Sequence, residues 1–160
     1  MPDKPDAAEG DSLSRYWPIA FQLAHGGGFS KNGVYPDAEE QPMYPAFMSL
    51  AYRFPHSRIV FVCMQATIGL LTAFLVYQTA FLAGLNARIA LLLAALDPFL
   101  ADFTRRFLRE TLSTFAVALL LYVGIRAVRR PSIRWDMGLA AVAAFGISVG
   151  PDLVLTAVLV

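Results

Sequence analysis

The sequence predicts an all-helical membrane protein, a polytopic bundle of transmembrane helices preceded by an extracytoplasmic interfacial helix. Of the 160 residues, 57% are hydrophobic and only 16% are charged. The mean hydropathy of +0.54 lies above the range that is usual for a soluble domain of this size. In addition, residues 59–87, 111–125 and 137–151 contain no Asp, Glu, Lys or Arg. Long uncharged segments of this kind are typical of helices that cross a bilayer.

Composition and missing motifs exclude several function classes. The formal net charge of +1 gives no basis for nucleic-acid binding. The single cysteine, Cys63, excludes a disulfide framework within one chain, and we interpret it as a small buried apolar residue. The glycines at 26–28 lack the downstream Gly-Lys-Ser/Thr of a phosphate-binding loop. Gly-x-Ser-x-Gly, Cys-x-x-Cys and His-Glu-x-x-His are absent, which removes the common hydrolase, redox and zinc-protease classes.

Residues 1–57 are predicted to form an extracytoplasmic first loop that contains one interfacial helix. Residues 1–11 are rich in Pro, Asp and Ala, and we expect them to be disordered. From Ser12 onward apolar residues recur at helical spacing, and Tyr16 and Trp17 are suited to a bilayer interface. This pattern predicts a short amphipathic helix that ends at the three glycines.

The second domain, residues 58–160, is predicted to be a bundle of about four transmembrane helices. Before it, Pro42 and Pro45 are expected to forbid a regular helix between them. The second span is interrupted by Asp97 and Pro98, so we expect it to be short, tilted or broken. The predicted spans are residues 58–82, 88–103, 112–128 and 135–160. Because the last span runs off the end of the chain, we expect a fragment of a larger membrane protein.

The distribution of basic residues suggests an orientation. The positive-inside preference places the basic connector, residues 126–134, in the cytoplasm, and the N-terminal region then falls outside. Near the spans there are five arginines on each side in this arrangement, so the rule alone gives a tie. Three of the outer arginines occur in one short loop, which suggests that they have a function there.

That loop is part of residues 97–115, a polar island between apolar segments. It contains six charged residues, which are Asp97, Asp102, Arg105, Arg106, Arg109 and Glu110. Charges placed at the end of membrane spans cost free energy and usually have a function. Guanidinium groups match phosphate oxygens bidentately, so the three arginines are candidate phosphate ligands. The alternative is that they contact lipid phosphates without specificity from a helix end.

The acidic candidates also have structural alternatives. Glu110 opens the third span, where a carboxylate interacts favourably with the helix N-terminus. Asp11 precedes the interfacial helix, where it could act as a proton acceptor or as an N-cap. Asp97 is interpreted as helix-ending. Asp152 interrupts the last span and could line a cavity. A lone histidine, His25, is weak support for a metal site.

Short motifs with a familiar order extend from Asp11 to the third span. They are Asp11-Ser12 with Tyr16, Ala20 with Leu23, Gly28-Phe29-Ser30, Pro42-Met43-Tyr44-Pro45, and Pro98 followed by Leu108-Arg109-Glu110-Thr111-Leu112. This order resembles the outer loops of GT-C-type membrane glycosyltransferases, in particular family 39, the protein O-mannosyltransferase and aminoarabinose-transferase group. The fold class is therefore expected to be GT-C-like and incomplete, corresponding to the N-terminal part of such an enzyme.

The resemblance implies a transferase that moves a hexosyl or pentosyl group from a polyprenyl-phosphate donor to an acceptor lipid, glycan or protein at the extracytoplasmic face. Asp11 would be the general base. Glu110 would be the second acidic residue, near the donor phosphate or a divalent metal ion. Arg105, Arg106 and Arg109 would then be placed to bind the donor phosphate. The location implied is the plasma (inner) membrane, as a multi-pass protein.

The alternative class is a non-catalytic polytopic membrane protein, such as a transporter segment or an assembly subunit. In that case the polar island would line a pathway or a contact between helices. The identities of the sugar and the acceptor do not follow from these residues.

Overall fold

The structure, a computed structural model, describes residues 11–97 and 109–150, with side chains from Arg15 onward. All regular secondary structure in these ranges is helical, which confirms the predicted fold class. The helices are α1 (Asp11–Ala24), α2 (Met43–Ala51), α3 (Ser57–Ala83), α4 (Ala87–Ala95), α5 (Glu110–Arg129) and α6 (Ile133–Val149).

Helix α1 begins at Asp11 and ends just before the three glycines, close to the predicted bounds. The chain leaves it through Gly26 and Gly28, whose φ angles of 82° and 75° favour glycine. One prediction for this helix is wrong. Tyr16 does not face a bilayer interface but is buried at 7% exposure, because α1 packs against α2 and the Tyr16 ring contacts Tyr44 edge-on at 5.0 Å.

Helix α2 corrects the prediction that Pro42 and Pro45 forbid a regular helix between them. Pro42 is the N-cap, and Pro45 lies in the first turn of the helix. The first backbone N–H groups of a helix have no partner within it, so a proline costs no hydrogen bond there. Tyr44 and Met48 of α2 are each 1% exposed, and they anchor this short helix in the core.

Helix α3 is the first predicted span, with both ends within one residue of the expectation. Its 27 residues extend about 40 Å, more than the hydrocarbon core of a bilayer requires. Gly84, with φ of 79°, caps its C-terminus and begins the predicted tight turn. Cys63 is exposed on α3, so its interpretation as a buried residue is wrong: this face of the helix points away from the bundle.

Two helices of the described residues, α3 and α5, are long and apolar enough to cross a membrane. In the most apolar 18-residue segment of each helix, only 33% of α3 and 39% of α5 are buried within the chain. The core helix of a soluble protein is mostly buried, whereas here large side chains such as Leu70 and Phe74 are outward and exposed. Both helices therefore have the length, composition and exposure that are typical of membrane spans, and the prediction of about four spans remains a prediction.

The remaining predicted spans are present as helices with different bounds. Helix α4 ends at Ala95, two residues before Asp97, and the rest of the predicted second span lies outside the described residues. Helix α5 covers the third span, and its start at Glu110 is two residues earlier than predicted. Helix α6 ends at Val149 with Gly150 as its C-cap, where the sequence predicted an interruption.

The core defines the two ends of the bundle. One buried cluster joins side chains from α1 and α2 with the start of α3, the start of α5 and the end of α6; it consists of Tyr16, Ala20, Tyr44, Met48, Ala51, Phe61, Leu112 and Val149. Helices α3 and α5 therefore run in the same direction and α6 returns. The N-terminal region and the start of α5 lie at one end. We call it the cavity end, after the polar cavity described below. The basic connector lies at the opposite end.

Candidate functional site

A polar cavity of about 460 Å³ opens at the cavity end of the bundle. Three parts of the chain form it: the first turns of α1, the loop between α1 and α2, and the N-terminus of α5. Three positive and three negative side chains contribute, together with a phenol and an amide. The lining residues are Arg15, Tyr16, Lys31, Glu39, Glu40, Gln41, Arg109 and Glu110.

The loop wall of the cavity is organised around Lys31. Its Nζ lies 2.9 Å from Asp37, 3.6 Å from Glu39 and 3.8 Å from Glu40. Asp37 also accepts hydrogen bonds from the backbone N–H groups of Glu39 and Glu40, so the loop turns tightly around one carboxylate. The hydrogen bond from Lys31 lowers the pKa of Asp37, and the same contact raises the pKa of Lys31.

Tyr16 lines the cavity together with Glu40 of the loop and Arg109 at the start of α5. Burial is the main reason that the pKa of Tyr16 is raised; the negative charge of Glu40 raises it further, and the positive charge of Arg109 opposes this shift. Arg109 donates from Nη1 to Oε1 of Gln41 at 3.3 Å. This hydrogen bond ties the guanidinium at the mouth of α5 to the end of the loop.

Glu110 lines the same cavity at the first position of α5. Its Oε2 atom is buried and has no hydrogen-bond partner among the described residues. The hydroxyl of Tyr44 is also buried, and it has no hydrogen-bond partner in the part of the chain that the structure describes. Burial raises the pKa of Tyr44 well above its ordinary value, and the negative charge of Glu110 adds to this shift. Buried polar atoms without partners are uncommon in proteins and are frequently found where a ligand or water binds.

The end of α6 completes this region. A Cβ atom added at Gly150 would lie 3.7 Å from Nη1 of Arg109 and 3.9 Å from Oγ of Ser113. The helix break that the sequence predicted at Gly150 is therefore adjacent to the polar cavity. Asp152 lies outside the described residues, so its predicted place at a cavity is still a prediction.

The carboxylates of the described ranges do not fit a metal site. No group of three or more His, Cys, Asp or Glu side chains in residues 15–97 and 109–150 is arranged to hold a metal ion. The side chain of His25 instead lies on the ring of Phe21 at 4.1 Å, with its Nδ1 2.8 Å from the Phe21 carbonyl oxygen.

The structure brings together two of the five residues that the sequence singled out. Arg109 and Glu110 both line the polar cavity. Asp11 is the first residue of α1, one turn before the cavity residue Arg15, but its side chain lies outside the described residues. Arg105 and Arg106 also lie outside them. The assignment of Asp11 as base and of the three arginines as phosphate ligands is still a prediction.

Six cavity residues were missed by the sequence interpretation. The sequence pattern places Tyr16 at a bilayer interface, and it assigns no role to Arg15, Lys31, Glu39, Glu40 and Gln41. One signal was available: a lysine followed by three carboxylates at Asp37, Glu39 and Glu40 in a loop of an otherwise apolar chain. A loop with that composition in a membrane protein is expected to form an ion-paired structure.

The described residues form only helices, two of which are long enough to span a membrane, and a charged cavity lies at one end of the bundle. These features define the class of helical membrane proteins. Residues 39–160, more than half of the chain, match the family described as dolichyl-phosphate-mannose-protein mannosyltransferase. The chain belongs to this family, which consists of GT-C-type membrane glycosyltransferases, and the resemblance indicated by the short motifs is confirmed. No curated protein and no solved structure matched the chain.

The matched range divides the cavity. Arg109, Glu110 and the loop residues from Glu39 onward lie within it, whereas Arg15, Tyr16 and Lys31 precede it. The cavity therefore joins the N-terminal helix to the part of the chain that carries the family match.

Proposed function

We propose that this chain is part of an enzyme that transfers a sugar from a polyprenyl-phosphate-linked donor to an acceptor at the extracytoplasmic face of the membrane. The observation that carries the proposal is the polar cavity at the mouth of α5, where Arg109 and the unpartnered Oε2 of Glu110 lie together. The family described above supports both a lipid-linked donor and transfer of a hexose.

The donor phosphate is proposed to bind at Arg109. When the bond between the sugar and the phosphate breaks, negative charge develops on the leaving phosphate, and a fixed guanidinium stabilises that charge. The hydrogen bond that Arg109 donates to Gln41 holds the guanidinium in place before the donor arrives. Arg105 and Arg106 precede Arg109 by four and three residues, and they are proposed to complete the phosphate site.

Asp11 is proposed to act as the general base. An acceptor hydroxyl attacks the anomeric carbon, a new carbon–oxygen bond forms, and the bond from that carbon to the phosphate oxygen breaks. The hydroxyl proton passes to the Asp11 carboxylate, and the polyprenyl phosphate leaves with the electron pair of the broken bond. Arg15, one helical turn beyond Asp11, lines the polar cavity, so α1 approaches the correct end of the bundle for this role.

Glu110 is proposed to orient the donor. Its Oε2 is buried, has no partner among the described residues, and can accept a hydrogen bond. A hydroxyl group of the bound sugar can donate that hydrogen bond. The position at the first turn of α5 also stabilises the carboxylate through the helix N-terminus. Glu110 and Arg109 therefore both face the proposed donor site.

The outer placement of the cavity end is tested by cysteine labelling. In a Cys63→Ala background, Thr104→Cys is expected to react with a membrane-impermeant maleimide added outside intact cells. Ser132→Cys, in the basic connector, is expected to react only after the membrane is opened. The reverse pattern would place the polar island in the cytoplasm and would contradict transfer at the extracytoplasmic face.

The transfer activity is tested with a radiolabelled sugar carried on a polyprenyl phosphate. Membranes that contain the full chain are expected to move the label into a lipid, glycan or protein acceptor faster than membranes without it. If the donor is not consumed above that background, the chain is not a transferase on its own, and the alternative of a transporter segment or an assembly subunit is favoured.

A further inference from the structure

We propose that the basic end of the bundle, opposite the polar cavity, binds the headgroup of an anionic phospholipid. The surface is formed by the end of α5, the short connector and the start of α6, and it carries four arginines: Arg126, Arg129, Arg130 and Arg134. This inference does not depend on the proposed transferase function.

Arg126 is held in place by aromatic rings from two helices. Its guanidinium carbon lies 5.4 Å from the ring centre of Tyr122 on α5 and 5.9 Å from that of Trp135 on α6. Its Nε also donates to the Tyr122 hydroxyl at 3.3 Å. Tyrosine and tryptophan prefer the region of the lipid headgroups, so this arrangement fixes the depth of the guanidinium at a membrane–water boundary.

The other three arginines are exposed. Among the described residues, no carboxylate lies within 4.0 Å of Arg129, Arg130 or Arg134. The ion pairs of the described residues are all made by Lys31, at the other end of the bundle. Asp136 is the nearest acidic residue in sequence and is also exposed. Closely spaced guanidinium groups repel one another, and an anion placed between them removes that repulsion.

Apolar side chains on the same surface indicate that the anion belongs to a lipid. Val128 is 79% exposed, Ile133 is 70% exposed and Met137 is 67% exposed, and they alternate in sequence with the exposed arginines. A soluble anion or a nucleic acid would leave these side chains in water. A phospholipid places its acyl chains beside the apolar residues and its phosphate beside the guanidinium groups, and so satisfies both parts of the surface.

The test uses Trp135 as a reporter inside the proposed site. The two tryptophans of the chain are Trp17 and Trp135, so Trp17→Phe leaves Trp135 as the single fluorophore. The full chain is reconstituted in bilayers that mix ordinary lipid with brominated phosphatidylglycerol or brominated phosphatidylcholine, which quench tryptophan on contact. The quenching curves give the relative binding constant of the anionic over the zwitterionic lipid at this position.

We expect this constant to favour phosphatidylglycerol at Trp135. Each arginine near an anionic lipid surface contributes about fivefold, so the double variant Arg130→Gln/Arg134→Gln is expected to lower the preference by roughly 25-fold. The matched double variant Arg53→Gln/Arg58→Gln removes two charges from the cavity end and is expected to leave it unchanged. In the Trp135→Phe chain, Trp17 is expected to report a smaller preference.

Two results would overturn the proposal. One is equal quenching by the two lipids at Trp135, or a preference that both double variants lower equally. The other is loss of the preference when inorganic phosphate is added, with no loss in sodium chloride of the same ionic strength. That second result would show a site for free phosphate instead of a lipid headgroup.

Discussion

The variants Asp11→Asn and Glu110→Gln are each expected to lose sugar transfer from a polyprenyl-phosphate donor, without a fall in membrane abundance. Removal of a general base lowers the rate by roughly 10²- to 10⁴-fold, because the acceptor hydroxyl keeps its proton in the transition state. For Glu110→Gln the loss comes from the buried Oε2, which is replaced by a neutral amide group that cannot orient the donor in the same way. The measurement is the initial rate of label transfer, divided by the amount of each variant in the membrane.

A matched control separates catalysis from helix stabilisation. Asp136 occupies the first turn of α6, as Glu110 occupies the first turn of α5, but it lies at the basic end of the bundle. A carboxylate in a first turn stabilises a helix by about 0.3–1 kcal/mol, so Asp136→Asn is expected to change abundance slightly and the transfer rate not at all. If Glu110→Gln behaves like Asp136→Asn, Glu110 is a helix-start residue only. Retained transfer in Asp11→Asn would contradict the base assignment.

Much of the fold could be predicted from the sequence, because the membrane imposes a strong pattern. The charge-free segment 59–87 leaves few alternatives to a long helix, and α3 was located within one residue at each end. The errors occur where packing overrides a local rule. Proline usually breaks a helix, but Pro45 lies in the first turn of α2, where it is tolerated. The residue type of Tyr16 predicts a bilayer interface, but its ring packs against Tyr44, and this contact is not visible in the local sequence.

The candidate site was predicted only in part, for a physical reason. Arg109 and Glu110 stood out because charges beside an apolar helix are costly. Arg15, Lys31 and Glu40 lie in a polar segment where charges cost little, so their charge alone does not mark them as site residues. The lysine and the three carboxylates of the loop predict an ion-paired structure, but not its position beside α5. That position depends on contacts across the fold, such as the hydrogen bond from Arg109 to Gln41, and such contacts are not visible in spacing along the chain.

Removal of the Arg109 guanidinium is expected to have the largest effect on donor binding. Hydrogen bonds to a charged group contribute about 1.5–3 kcal/mol, which corresponds to roughly 10- to 150-fold in Kd. Arg109→Lys keeps the charge but loses the planar fork, so we expect an intermediate loss. Arg88→Gln, in the first turn of α4 at the opposite end of the bundle, is the matched control, because it removes the same group from another helix terminus outside both proposed binding surfaces.

The most direct test of the polar cavity as the donor site is therefore the Kd of a polyprenyl-phosphate sugar for these chains in detergent or bilayers. The Kd is expected to rise by at least about tenfold in Arg109→Gln, to rise less in Arg109→Lys, and to stay at the unmodified value in Arg88→Gln. Equal affinity of the unmodified chain and Arg109→Gln for the donor would contradict the account.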